Sequence, residues 1–120
     1  MEKLTAKEEE VLNFIWTLNR PCSPKQIGEL YDAPRPHVNT IATSFQSLEK
    51  KGYLTHQSVG RGYLYSPVVK REDYGRRKLK GLVANFFAGS YLNVVNTFVR
   101  DSDLTREELE QLLEQLKEQE

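Results

Sequence analysis

Seven side chains in the middle of the sequence have the types and spacing to read a nucleic acid: Asn39, Thr40, Thr43, Gln46, Ser47, Lys50 and Arg61. Amides can pair with adenine edges, hydroxyls with bases or phosphates, and threonine methyls with thymine methyls. Lysine and arginine hold phosphates or enter a groove. At about 3.6 residues per turn, Asn39, Thr43, Gln46, Ser47 and Lys50 share one helical face with Pro36, opposite Ile41 and Phe45. Thr40 lies at its edge. That face carries short polar groups, one cation and no acid. An ordinary surface helix would carry Glu/Lys pairs one turn apart. The competing reading is a solvated face that happens to lack acids.

Other reactive residue types do not assemble into a site. Glu8, Glu9 and Glu10 are adjacent, but acids in the first turns of a helix are expected from its dipole. They read as a solvated helix start. Cys22, His37 and His56 have no partner at metal-ligand spacing. Cys22 reads as a plain, partly buried thiol. The Gly60-Arg61-Gly62 turn lacks the Gly-Lys-Ser/Thr and following helix of a phosphate loop. No nucleophile–base pair is evident, so the chain is expected to be no enzyme, with no cofactor and no metal.

The elements that must hold the seven residues follow from periodicity. Val38, Ile41, Phe45 and Leu48 recur at helical spacing and form the expected buried face of the reading helix. Pro36 suits its first turn, and Gly52 its left-handed C-cap. A hairpin follows, with Leu54 and Leu64 as expected core contacts and Tyr53, Tyr63 and Tyr65 presenting polar tips. Upstream, Thr5 and Glu8 predict a capping box before the stripe Val11, Leu12, Ile15, Trp16 and Leu18. Ser23, Pro24 and Gln26 predict a short second helix running to about Asp32, with Ile27, Leu30 and Tyr31 on its buried face. Helix, helix, reading helix and basic-tipped hairpin make a winged helix-turn-helix.

Beyond Pro67 the character changes. A pattern from Lys70 carries Leu79, Leu82, Val83, Phe86 and Phe87 and stops at Gly89. Ser90 can cap a helix bearing Tyr91, Val94, Val95, Phe98 and Val99, and Thr105 with Glu108 can cap a last one with Leu109, Leu112, Leu113 and Leu116. A winged helix already has a core, so these stripes need another partner. A second copy about a two-fold axis is the simplest; a tail folded back on a monomer is the alternative. The expected interface residues are Leu82, Phe86, Phe87, Val95, Phe98, Leu109, Leu112, Leu113 and Leu116. The fold class is therefore mainly α with a small β-hairpin: a winged helix-turn-helix over residues 1–69, then a helical dimerisation region over 70–120.

Charge is unevenly spread along the chain. The 120 residues hold 17 Lys/Arg and 17 Asp/Glu. Residues 35–81 hold 10 cations and 3 acids, net +7, while residues 82–120 hold 3 and 8, net −5. A basic middle suits a polyanion. No apolar run reaches the ~20 residues of a membrane span, and one cysteine fits a reducing cytoplasm.

Several segments in this order resemble the BlaI/MecI penicillinase-repressor family. They are Leu4-Thr5 through Glu10-Val11-Leu12, Ile15-Trp16, Thr40-Ile41-Ala42-Thr43, Leu48-Glu49-Lys50-Lys51-Gly52-Tyr53-Leu54, Gly60-Arg61-Gly62-Tyr63-Leu64-Tyr65-Ser66-Pro67 and Phe87-Ala88-Gly89-Ser90. The resemblance implies a cytoplasmic, homodimeric winged-helix repressor that binds a palindromic double-stranded DNA operator. It also implies release by a regulatory protease after a membrane sensor detects β-lactam. The family's usual cleavage bond is Asn-Phe; its best match here is Thr97-Phe98. Family members often carry a basic residue at the position of Ala42, and copper-responsive relatives a C-terminal cysteine cluster, which this chain lacks. The alternative is a winged-helix protein-interaction module that does not read DNA sequence; the acid-free helix face favours the repressor.

Overall fold

The computed structural model describes residues 2–119. Its elements run α1 (Ala6–Leu18), α2 (Pro24–Gly28), α3 (Val38–Lys50), β1 (Leu54–Val59), β2 (Gly62–Pro67), α4 (Arg71–Phe86), α5 (Tyr91–Arg100) and α6 (Arg106–Gln119). They fall into two compact units, one up to Tyr74 and one from Gly75 on. The first is a winged helix-turn-helix.

Its boundaries follow from local chemistry. Thr5 caps α1, and Glu8 returns the bond to the Thr5 N–H at 2.7 Å. Ser23 and Gln26 make the same reciprocal pair at α2, with Pro24 first in the helix. Lys51 ends α3, Gly52 takes φ +90°, and the Tyr53 N–H reaches back to the Leu48 carbonyl at 2.9 Å. That is the Schellman closure, and it turns the chain directly into the hairpin. Val59 pairs with Gly62, leaving Gly60 and Arg61 as a two-residue loop. Gly60 has φ +61° and Arg61 does not share it, the glycine-first pattern of a type II′ turn. Cys22 bridges the other side of β2 through two backbone bonds with Tyr65, 3.0 and 2.8 Å long.

One core holds these parts. Val11, Leu12 and Ile15 of α1 and Ile27 of α2 meet Ile41, Phe45 and Leu48 of α3, and Cys22, Tyr53, Leu54 and Tyr65 close it. The Phe45 and Tyr65 rings meet edge to face at 5.0 Å, tying the helix to the hairpin. The first turn of α4 belongs to this unit. Arg71 donates to the Asn13 carbonyl and the Thr17 hydroxyl and lies over the Trp16 ring, while the Tyr74 ring meets Trp16 at a tilt and Tyr53 edge to face.

Several expectations are corrected. Pro36 precedes the helix instead of opening it, because His37 is the N-cap; its ring nitrogen accepts from the Asn39 N–H at 3.0 Å. Val38, expected on the buried face, is exposed at the first turn of α3. The second helix stops at Gly28, and Leu30 beyond it is exposed. In the hairpin Tyr53 and Tyr65, not Leu64, supply the deepest packing beside Leu54. Cys22 is fully buried, and that burial raises its thiol to about 11 despite nearby Arg20.

The unit from Gly75 on carries the rest of α4, then α5 and α6. Ser90 caps α5 by accepting from the Asn93 N–H, and Thr105 with Glu108 forms the second capping box. Val83 is its only fully buried apolar residue among those described. Leu82, Val95, Phe98, Leu112, Leu113 and Leu116 are exposed, and Phe86 is 75% exposed; Phe87 and Leu109 are half-buried.

Candidate nucleic-acid interface

The structure brings six of the seven predicted residues to the surface. Asn39, Thr40, Thr43, Gln46 and Lys50 are exposed on α3, and Arg61 is exposed at the hairpin tip. They stay outside because the opposite side of α3, Ile41, Phe45 and Leu48, is drawn into the core. The Thr43 hydroxyl donates to the Asn39 carbonyl at 2.9 Å, which leaves its methyl and its oxygen lone pairs for a ligand. Asn39 and Gln46 each offer a donor and an acceptor from one planar group, the set that pairs with adenine in the major groove.

Ser47 stands apart from the other six. It is half-buried, and its hydroxyl donates to the Glu8 carboxylate of α1. Its group is committed inside the protein, so it holds the reading helix and does not face outward with the rest.

Glu8 itself departs from the solvated helix start expected for it. It is 4% exposed and accepts from the Thr5 N–H, the Ser47 hydroxyl and the Lys51 ammonium, the last at 2.7 Å. Burial pushes its carboxyl up, but the hydrogen bonds from Lys51, Ser47 and Thr5 together outweigh it and bring it down to about 2. A depressed carboxyl contributes stability that is present above its ordinary range near 4.5 and is lost as pH falls toward 2. The capping box was legible at three-residue spacing. The tie to Ser47, 39 residues away, has no local signature.

The basic middle is also distributed differently from a simple patch. Lys51 is paired with Glu8, and the Arg35 side chain donates to the Tyr31 carbonyl. Lys70, Arg71, Arg76, Arg77, Lys78 and Lys80 lie on α4 or just before it. Lys50 stands on the polar face of α3, Lys7 of α1 is exposed beside Thr40 and Thr43, and Arg61 is exposed at the hairpin tip. At the root of the hairpin His56 meets Glu49 of α3 and stacks on Tyr63 at 4.4 Å, so wing and helix are joined outside the core as well. No group of three His, Cys, Asp or Glu among the described residues could hold a metal ion. No single helix there is long and apolar enough to cross a membrane.

A short helix, a second helix with an exposed acid-free face, and a wing tipped by arginine define the winged helix-turn-helix class. The comparisons then identify the branch: a family model described as Penicillinase repressor matches residues 4–118, and the chain belongs to that family. It is 29% identical to the penicillinase repressor of Bacillus licheniformis over 116 residues, covering 97% of this chain and 91% of that protein. It is 26% identical to the methicillin resistance regulatory protein MecI of Staphylococcus aureus (strain N315) over 110 residues, covering 92% and 89%. The same protein of Mammaliicoccus sciuri matches at 26% over the same length.

Proposed function

We propose that this protein is a dimeric transcriptional repressor that binds a palindromic DNA operator and is released by proteolysis of its C-terminal region. The observation that carries the DNA-binding part is the exposed face of Asn39, Thr40, Thr43, Gln46 and Lys50, free of acids, together with Arg61 exposed at the hairpin tip. Family membership supports repression as the outcome. Asn39, Thr43 and Gln46 read base edges, while Lys50 and Arg61 hold backbone or groove. Replacing Asn39 by Ala should cost about 1–3 kcal/mol on the preferred site and relax the choice of base at one position per half-site. Replacing Lys50 should weaken all duplexes alike and reduce the salt slope by about 1. Anisotropy titrations against duplexes varied one base pair at a time measure both. Uniform weakening by Asn39→Ala would remove it from the base readers.

The dimer rests on surplus apolar surface. Leu82, Phe86, Val95, Phe98, Leu112, Leu113 and Leu116 are exposed in one chain, far more than a solvated helical unit of this size leaves uncovered. A second copy covers them through α4, α5 and α6, with Phe87 and Leu109 at the margins. Sedimentation at micromolar concentration should give twice the 13.9 kDa chain mass. A chain ending at Tyr74, which retains the Trp16 and Tyr53 contacts of that residue, should sediment as a monomer. A dimer of the shortened chain would place the interface on the winged helix.

A further inference from the structure

We propose that Glu8 is a positioning residue for sequence readout: it fixes the roll of α3 on α1 and masks the Lys51 charge beside the reading face. This rests on the DNA-binding reading above and adds a residue that touches no DNA. Ser47 and Lys51 stand one turn apart on the same side of α3, and one carboxylate of α1 receives both. The Glu8 and Lys51 side chains are 6% and 18% exposed, so the pair is largely shielded from solvent. The Lys51 ammonium makes a further bond to the Lys3 carbonyl at 3.0 Å, which anchors the segment before α1 to the same point.

The reason to assign this cluster to readout comes from the physics of the core beside it. Packing of Ile41, Phe45 and Leu48 seats α3 in the core, but apolar contacts carry no preferred bond direction, so they fix the last degrees of its roll less sharply than hydrogen bonds do. Hydrogen bonds have preferred lengths and angles, so they select one roll. A buried ion pair is weak evidence for stability but has attested uses in fixing register. Rolling α3 would move Asn39, Thr43 and Gln46 together off the bases they face, because they share one face. Charge matters separately. With Glu8 ionised, Lys51 adds no net charge near the interface. Without the carboxylate, an unmasked ammonium there would attract phosphate of any sequence.

The test uses the full-length protein and two duplexes: one enriched from a randomised pool by the wild type, and a scrambled duplex of the same composition. In Glu8→Gln the ratio of the two affinities should fall about tenfold or more, the scale of one misaligned base contact. Binding to the scrambled duplex should strengthen, with a salt slope steeper by about 0.9 for one added phosphate contact. A role in stability alone would lower the melting temperature and leave the ratio and slope of the folded protein unchanged; that result overturns the assignment. Should Glu8→Gln fail to fold by circular dichroism, Ser47→Ala answers the same question with the ion pair intact. It should lower the ratio without steepening the slope, and an unchanged ratio there also overturns the proposal. Wild-type protein that enriches no duplex would overturn the DNA-binding reading itself, and this inference with it.

Discussion

A chain ending at Thr97 should lose about 10²–10⁴-fold in affinity for a palindromic operator while binding an isolated half-site as the full-length chain does. One winged helix offers one α3 and one wing tip. Two of them held on half-sites about one DNA turn apart act as a linked bivalent ligand, and the linkage supplies a gain of about 10²–10⁴-fold. Ending at Thr97 removes Phe98 from α5 and all of α6, and with them the exposed Leu112, Leu113 and Leu116. The DNA-facing unit up to Tyr74 keeps its whole core, so half-site binding should persist. Paired titrations on the full and half operators measure the effect. Equal operator affinity for the two chains would sink the release mechanism and move attention to an effector acting on the winged helix. The structure adds a condition on cleavage in the intact protein. The Thr97-Phe98 bond lies inside α5, and the Thr97 carbonyl accepts from the Asp101 N–H at 3.1 Å. A protease needs the segment extended, so α5 must open locally before the bond can be cut.

The winged helix was legible in the sequence because its signals are local. Capping boxes at Thr5 and Ser23 and the closure at Gly52 act over three to five residues, and each produces the boundary its spacing predicts. The exposed face of α3 was legible for a related reason: burying Ile41, Phe45 and Leu48 fixes where Asn39, Thr43 and Gln46 must point. What escaped depends on contacts distant in sequence. Ser47 has the same composition and face as its neighbours, yet a carboxylate 39 residues away turns it inward. Tyr65 alternates with Leu64 along β2, and strand alternation alone does not say which face is the core. The bridge to Cys22 and the ring of Phe45 decide it. The start of α3 was misread for a local reason, since His37 can cap through a ring nitrogen and so displaces Pro36 from the first turn.

Phe45→Ala should destabilise the DNA-facing unit by about 3–5 kcal/mol, a large share of the roughly 5–15 kcal/mol that holds a domain folded. Phe45 is fully buried at the centre of α3, and its ring is the edge-to-face partner of Tyr65. Truncation removes the transfer energy of the ring and leaves a cavity in the core cluster, whose members Leu12, Ile15, Ile27 and Leu48 are themselves fully buried and cannot all collapse inward. Tyr65 loses its aromatic neighbour on the same strand position that pairs with Cys22, so the wing is loosened along with the helix. Cys22 then reports the damage. It is the one cysteine, it is fully buried, and its thiol is raised to about 11, so it should react with a disulfide reagent only when the core opens. In the fast-exchange regime its labelling rate follows the open population, and a loss of about 3–5 kcal/mol should speed it by about 10²–10⁴-fold. Urea titration gives the same free energy independently. Phe45→Leu keeps most of the volume and should cost only about 1 kcal/mol, with labelling accelerated less than tenfold. A Phe45→Ala protein whose urea midpoint and Cys22 labelling both matched the wild type would mean that α3 and the wing are not joined through this ring. The wing would then have to be held to α3 by the contact of His56 with Glu49 outside the core.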